Sequence, residues 1–377
     1  MSILAVLAAT DLVGAITAYQ PGLPAHLTPL ATILCTACAE STSFLVTKNY
    51  PGFESNLAVF APVFRAWLVA HGPAALPRLF HWLPHLQPMV VAYAAAVPDS
   101  AALLVYLHAT GRLARQMPPI MDQAALSGQL HVMLFLDAVD MPGWRTWTMD
   151  IAASRGQLAL VQFLHHGRRE GCTTTAMDAA AGGGHLDVLH FLHVQRTEGC
   201  TVDAMDRAAA AGHLDTVVSL HVHRTEGCTQ RAMDRAASNG HLHVVQFLHA
   251  HRTEGCTTHA MDAAACMGHW DVVRFLHAHR TEGCTPRAMT AAATKGQLDV
   301  VQLLYEERTV GRVAEALEGA LSHGQWNVVR YFHANLEARG LPIPPRPIDP
   351  MERRHRMHGR WGMGMFHHHD SVMLDLF

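Results

Sequence analysis

The sequence predicts an all-α fold, a solenoid of stacked helix-turn-helix repeats with an irregular helical cap at its N-terminal end. Two markers recur every 28 residues, the tripeptide Ala-Met-Asp and a glycine that follows it. Between these markers, apolar residues keep the three- and four-residue spacing of amphipathic helices. One such unit cannot bury its apolar face alone, so neighbouring copies must stack on one another.

The repeat can be followed along most of the chain. The methionine of the tripeptide lies at Met177, Met205, Met233 and Met261, and the same register holds Met121, Met149 and Met289. The glycines lie at Gly128, Gly156, Gly184, Gly212, Gly240, Gly268, Gly296 and Gly324. Eight units therefore follow one another from residue 118 without an insertion, and a weaker ninth unit begins near Ala92.

Each element of a unit has a local signal. In the unit that starts at Cys284, Thr285 is a good N-cap, and Pro286 fits the first helical position, where its missing N–H costs nothing. Gly296 suits the end of this first helix, and a second helix is predicted to begin near Leu298. The repeated alanines are small, which allows neighbouring helices to approach closely.

The two ends of the chain differ from the repeats. Residues 1–90 are rich in Ala, Leu and Pro and do not keep the period. We expect them to form short helices that cap the first repeat, with Trp67 and residues 80–83 packed against it. Residues 91–340 form the repeat array. Residues 341–377 are proline-rich and basic, and we expect a disordered tail.

The charge of the chain is nearly balanced. Its 377 residues include 29 histidines and carry a net charge of −3 with histidine neutral. This balance provides no general attraction for nucleic acid or for an anionic membrane, so we expect neither as a partner. No stretch of the sequence is apolar enough to span a membrane. We expect a monomer that requires no cofactor.

The eight cysteines divide into a regular series and three others. One cysteine per unit lies at Cys172, Cys200, Cys228, Cys256 and Cys284. Equivalent positions in stacked units lie about 8–10 Å apart, which is too far for a disulfide. We therefore expect buried thiols and a cytoplasmic location, with the nucleus as the alternative. The Cys35-x-x-Cys38 pair is interpreted as two buried helical thiols rather than a redox site.

The unit from Ala260 to Leu276 resembles the ankyrin repeat, whose pattern is close to T-P-L-H-x-A-A-x-x-G-H-x-x-V-V-x-x-L. The resemblance implies a helical-repeat fold and a non-catalytic role in protein binding. Two departures stand out. These units have 28 residues, whereas ankyrin units have about 33, and the missing residues shorten the β-hairpin finger at 280–285. Asp262 also stands where histidine is expected, and Ala260 where proline is.

Residues that recur in every unit are interpreted as structural, since an enzyme needs one catalytic constellation rather than several copies. One histidine series, beside the turn glycines, lies at His185, His213, His241 and His269. A second series lies in the second helix, at His165, His193, His221, His249 and His277. Recurring Arg–Glu pairs, such as Arg280 and Glu282, are expected to form exposed ladders that join neighbouring loops. We predict no metal site, but a His/Cys ladder that senses pH or metal stays open as an alternative.

Partner contacts are predicted where the units differ. These positions are Thr175, Asp203, Arg207, Arg231, Arg235, Asn239, His259, Met267, Arg287 and Lys295. In ankyrin-like arrays the first helix and its entry line the concave side. The sequence therefore predicts a scaffold that binds an unidentified protein partner on this face. The alternative is an adaptor in which residues 1–90 recruit other machinery, such as a ubiquitin ligase in the manner of an F-box.

Overall fold

The structure, a computed structural model, describes residues 24–30, 50–98, 100–113, 120–307, 313–338 and 340. Within these ranges every regular element is a helix and no strand occurs, as the all-α prediction requires. The Cys35-x-x-Cys38 pair and the tail at 341–377 lie outside the described residues.

Nine helix pairs, numbered here as repeats 1 to 9, make up the array in the described part of the chain. The first helices are Gln87–Ala96, Ile120–Leu126, Thr146–Ser154, Thr174–Gly182, Val202–Ala211, Gln230–Ser238, Thr258–Met267, Pro286–Lys295 and Val313–Ser322. The second helices are Ala101–Ala109, Leu130–Ala138, Leu158–Gly167, Leu186–Gln195, Leu214–His223, Leu242–His251, Trp270–His279, Leu298–Glu307 and Trp326–Ala338. Repeat 1 is the weaker ninth unit that begins near Ala92, and its helical pairing is confirmed.

The caps and turns follow the local signals. The Thr285 side chain accepts the N–H of Arg287, and Pro286 occupies the first turn of the helix that follows. Gly296 ends that helix with φ 77° in the left-handed region, where glycine alone has no steric penalty. The loop at 280–285 contains no strand, so the prediction of a shortened finger is confirmed for this described loop.

The core is built from the same positions in each repeat. In repeat 7 the buried side chains are Ala260, Met261, Ala264, Ala265, Val272, Val273 and Leu276. Fully burying one valine, leucine or methionine side chain contributes about 1.5–3 kcal/mol, and in an array most of that burial is provided by neighbouring repeats. The small alanines allow close helix approach, and the methionine fills the remaining space.

The chain divides into two compact units, residues 1–207 with 219–226 and residues 208–218 with 227–377. In the first unit, the first helices of repeats 1 to 4 pack against one another in sequence order. In the second unit, the first helices of repeats 6 to 9 pack in the same way. Within each of these two compact units, neighbouring repeats therefore stack on one another, as the repeat period predicts.

The N-terminal segment packs on repeat 1 through phenylalanines. The rings of Phe60 and Phe64 contact Tyr93 edge-on, with centroids 6.5 and 5.0 Å away. Trp67 is buried and stacks on Phe64. Of the stretch 80–83, Phe80 is buried and lies under the Arg112 guanidinium beside repeat 1, whereas Trp82 is 41% exposed, so the predicted packing fails at Trp82. Pairs of phenylalanine one turn apart carry this contact, and sequence reasoning did not single them out.

The segment also contains a longer helix than predicted. Helix Tyr50–His71 has 22 residues and continues through Pro62, where short helices broken by loops were expected. A proline removes a single N–H donor, and a helix anchored by buried aromatic rings on both sides of it tolerates that loss. Helix Leu76–Trp82 and the short 3₁₀ turns Pro73–Ala75 and Pro84–Leu86 complete the segment up to repeat 1.

The described helices were also compared with the length and hydropathy of a membrane span. No single one of them is long and apolar enough. The bent pair Leu57–His71 and Pro73–Trp82 reaches the required length and composition when its two halves, which meet at 99°, are counted together.

Candidate functional site

The ten predicted contact positions lie on first helices or at their ends, at the surface. Thr175 and Asp203 are half-buried, and the other eight are exposed. The exposed positions are Arg207, Arg231, Arg235, Asn239, His259, Met267, Arg287 and Lys295. None of the ten belongs to the buried core of the described residues. Their exposure is consistent with a contact surface, and the partner contact itself stays a prediction.

A groove lies among the first helices of repeats 7, 8 and 9. It has a volume of about 550 Å³, and two of the predicted positions, His259 and Arg287, line it. Sequence reasoning missed the other polar lining residues, among them Thr290 and Glu315. Thr290 carried a signal, since it is the one residue that replaces aspartate in the otherwise regular Ala-Met-Asp series.

An aspartate of one repeat holds the N-cap of the next. The Asp234 carboxylate accepts the N–H of Thr257 at 2.8 Å and its hydroxyl at 2.7 Å. The same hydroxyl accepts the N–H of His259 at 3.1 Å, which makes Thr257 the cap of its helix. The geometry recurs in the pairs Asp150–Thr173, Asp178–Thr201 and Asp262–Thr285. The tripeptide aspartate therefore links neighbouring repeats.

Two exceptions within the chain support this role of the aspartate. Thr290 takes the aspartate position in repeat 8, and 23 residues later Val313 replaces the capping threonine. In repeat 2, Asp122 is followed at the same interval by Arg145, and the two form an ion pair. In repeat 8 the aspartate and its threonine are thus absent together, whereas in repeat 2 the aspartate keeps a partner at the same interval, and both patterns are readable in the sequence. Burial raises the pKa of Asp150, and the bonds from Thr173 oppose that rise.

The Arg–Glu pairs clamp each loop to the loop before it. The Arg280 guanidinium binds Glu282 within its own loop, through Nε at 3.2 Å and through a shorter contact from Nη2. Glu282 also accepts the N–H of Cys256 in the preceding loop at 3.5 Å. The same guanidinium lies against Gly255, where an added Cβ would come within 2.5 Å of Nη2. The pairs therefore join neighbouring loops as predicted.

The degree of exposure predicted for these pairs is wrong. The Arg280 and Glu282 side chains are only 20% and 25% exposed, because the guanidinium is covered by the preceding loop. The prediction of buried thiols is confirmed for the five cysteines of the regular series, which are buried and free of disulfides. Burial raises the pKa of Cys256 to about 11, so this thiol stays protonated and unreactive near neutral pH.

The histidines beside the turn glycines pack on the preceding turn. His269 of repeat 7 lies over Gly240 of repeat 6, where an added Cβ would be 2.7 Å from its Nδ1. His241 interacts with the backbone of Ala210 in the same way, one repeat earlier. Glutamine takes this place in other repeats, and Gln297 lies over Gly268. These contacts agree with the structural interpretation of the series.

The second histidine series lies between neighbouring second helices. The His249 ring contacts Phe275 edge-on with centroids 5.5 Å apart, and Arg280 Nη1 lies 3.5 Å from its Nδ1. Burial lowers the pKa of His249, and the charges of Arg280 and His279 lower it further, while Glu282 opposes them. His165 shows the same edge-on contact and a nearby guanidinium, and its pKa is lowered too.

These histidines predict that the array loses stability in mild acid. Their pKa in the folded protein lies below the ordinary histidine value of about 6.5, so the unfolded chain takes up protons first as the pH falls. Their contribution is complete above pH 6.5 and decreases below it. We expect the urea midpoint to fall between about pH 7.5 and about pH 5.5. His249→Gln should flatten this slope, and the exposed control His259→Gln should not. A midpoint that rises with acid would contradict the prediction.

Among the described residues, no cluster of three or more His, Cys, Asp or Glu side chains is placed to hold a metal ion.

Family models were then compared with the chain. A model described as ankyrin repeats in many copies matches residues 149–193 and 205–249, and one described as three ankyrin repeats matches residues 233–313. A search of curated proteins finds no match. The models reach repeats 3 to 8, whereas repeats 1, 2 and 9 lie outside the matched residues. Ankyrin repeats are generally modules for protein–protein interaction and are typically not enzymes. Residues 149–193 and 205–313 of this chain are therefore repeats of the ankyrin family.

Proposed function

We propose that the protein is a non-catalytic scaffold that binds a protein partner through its first-helix face, defined as the exposed residues of the first helices. The observation that carries this proposal is that recurring and variable residues have different roles within each repeat. The recurring residues form the core, the helix caps and the Arg–Glu contacts between loops. The residues that vary are exposed on the first helices, and in repeats 7 and 8 they line a groove.

Two features of the groove suit a partner chain rather than a small molecule. It is open along the first helices and has polar lining, with Thr290, Arg287 and Glu315 among its residues. Small-molecule sites are mostly apolar enclosures with few polar groups, whereas the rims of protein interfaces are polar. Met267, which is 60% exposed, adds an apolar contact at the end of the repeat 7 helix.

The test compares the full chain with two surface variants. The first variant replaces Asp203, Arg231, His259 and Arg287 by alanine on the first helices. The control variant replaces His190, His243, Arg274 and Asp299 by alanine on the second helices, where they are also exposed. Circular dichroism should show all three proteins folded, since exposed substitutions usually change stability by less than about 0.5 kcal/mol.

We expect the wild-type chain and the control to capture the same partner from a lysate of the native cells and the first-helix variant to lose it. The captured protein must then bind the purified wild-type chain directly. Equal capture by all three proteins would contradict the proposal, and loss of the partner in the control alone would place the contact on the second helices.

One observation favours the adaptor alternative. The N-terminal segment leaves Val59 55% and Val69 82% exposed on one helix, and Trp82 is exposed nearby in sequence. Exposed apolar side chains are typical of contact surfaces when they form one patch, and this alternative requires these three to do so. Under this alternative, a Val59→Ser, Val69→Ser and Trp82→Ser variant loses a partner that the first-helix variant retains. Retention of every partner by this serine variant would dismiss it.

A further inference from the structure

The first helices of repeats 6 and 8 present exposed cationic side chains. Arg231, Arg235, Arg287 and Lys295 are exposed, and none of them forms an ion pair within the described residues. The acidic residues of the first helices of repeats 6 to 8 are Asp234, which is buried, and Asp262, which is half-buried at the groove, and each accepts two hydrogen bonds from a capping threonine. The fully exposed charges of these helices are therefore positive.

Two other helices carry paired arginines. In repeat 5, Arg207 is paired with Asp203 at 3.3 Å on the same first helix. In repeat 7, Arg274 of the second helix lies 3.9 Å from Asp271, and both are exposed. The four exposed cations without an ion pair on the first helices of repeats 6 and 8 are called the basic strip. It consists of Arg231, Arg235, Arg287 and Lys295, with His259 between them in sequence.

The sign of the charge changes at repeat 9. Glu315 and Glu318 are exposed on its first helix, and Glu315 lines the groove beside Arg287. A ligand that follows the first helices therefore meets cations in repeats 6 and 8 and acidic groups at repeat 9. Such a surface selects both the charge and the direction of what binds, because complementary charge attracts and like charge repels.

We infer that the partner presents an acidic, extended peptide segment to the basic strip, with its end next to Glu315 uncharged or basic. This inference rests on the proposed function and specifies the chemistry of the partner. Stacked repeats are spaced by about 8–10 Å, so repeats 6 to 9 span roughly 24–30 Å. An extended chain covers about 3.4 Å per residue, which corresponds to a segment of about eight residues.

The probe for the test is a fluorescein-labelled peptide about eight residues long, in which Glu alternates with Ser except at one end, which carries Ser alone. Its binding to the full-length chain is measured by fluorescence anisotropy. We expect saturable binding that weakens when NaCl is raised from about 0.05 M to about 0.3 M, because surface charges are then screened. The same peptide with Gln in place of Glu should not bind.

Single charge reversals locate the site. Arg287→Glu should weaken binding of the acidic peptide at least about fivefold, because it replaces an attraction by a repulsion. Arg274→Glu makes the same change of charge on the second helix of repeat 7 and should leave binding within about twofold. Glu315→Lys should strengthen binding, since it extends the basic strip into repeat 9.

Three outcomes would overturn the inference. The first is equal weakening by Arg287→Glu and Arg274→Glu, which would show a nonspecific charge effect. The second is equally tight binding of single-stranded DNA of the same charge with the same dependence on Arg287, which would make the strip a general polyanion surface. The third is no binding of the acidic peptide. If the partner is still captured through the first helices in that case, the proposed function stands without this inference.

Discussion

Replacing Asp234 with alanine should lower the free energy of unfolding by about 2–4 kcal/mol, because it removes the acceptor of two hydrogen bonds at once. Asp234 is 8% exposed and holds the N–H and hydroxyl of Thr257 in the next repeat. Without it, the Thr257 N–H loses its acceptor in a position that the neighbouring repeat covers. The N-cap hydroxyl also loses the group that orients it toward the His259 N–H.

Urea unfolding followed by far-UV circular dichroism measures this loss. Asp234→Asn keeps the shape and one acceptor oxygen, so its effect should fall between those of wild type and alanine. Asp271→Ala is the matched control in the next repeat, since Asp271 is 68% exposed and lies in a loose ion pair with Arg274. It should cost less than about 0.5 kcal/mol. Equal midpoints for Asp234→Ala and Asp271→Ala would show that the aspartate link does not stabilise the array.

Gly240→Ala should destabilise the protein by about 2–3 kcal/mol, through two separable effects. The residue has φ 79°, and an L-residue in this left-handed region costs roughly 1–2 kcal/mol. The added Cβ would also lie 2.7 Å from Nδ1 and 2.8 Å from Cε1 of His269, so the ring of the next repeat must move. The clash with His269 arises because neighbouring repeats stack, and a glycine with no neighbour near its added Cβ does not show it.

A double-mutant cycle separates the two effects. In a His269→Ala background, Gly240→Ala should cost only the backbone part, about 1–2 kcal/mol. Gly111→Ala serves as a second reference, because Gly111 has φ 66° and nothing lies within 4 Å of its added Cβ. If Gly240→Ala costs the same with and without His269, the contact between the histidine and the turn carries no strain.

The two histidine series differ in how far their roles could be predicted from the sequence. The series beside the turn glycines was placed correctly as structural, since a residue that recurs in every unit cannot be a single active site. The pH response of the second series could not be predicted residue by residue. The pKa of His249 is lowered by its burial against Phe275 and by Arg280, and both of these residues come from the following repeat.

The predicted contact surface could likewise be derived from the sequence only in part. Its exposed positions could be predicted by asking where the units differ, and all ten lie at the surface. The groove could not be predicted, since Thr290 and Glu315 join it from repeats 8 and 9 only when the helices are packed. The sequence also could not predict that the cations of the basic strip form no ion pairs within the described residues. It requires knowing that Asp234 binds a threonine of the next repeat rather than Arg231 or Arg235 of its own helix.

The sequence by itself determined the helical repeat, its register, its caps and turns and the all-α solenoid, because these depend on backbone propensity and on periodicity within a few residues. It did not determine that Phe60 and Phe64 rather than Trp82 dock the N-terminal segment. Nor did it show that the Arg–Glu pairs are half-buried clamps. Those features arise only when distant parts of the chain meet, since these contacts join residues 25 to 33 positions apart in the sequence.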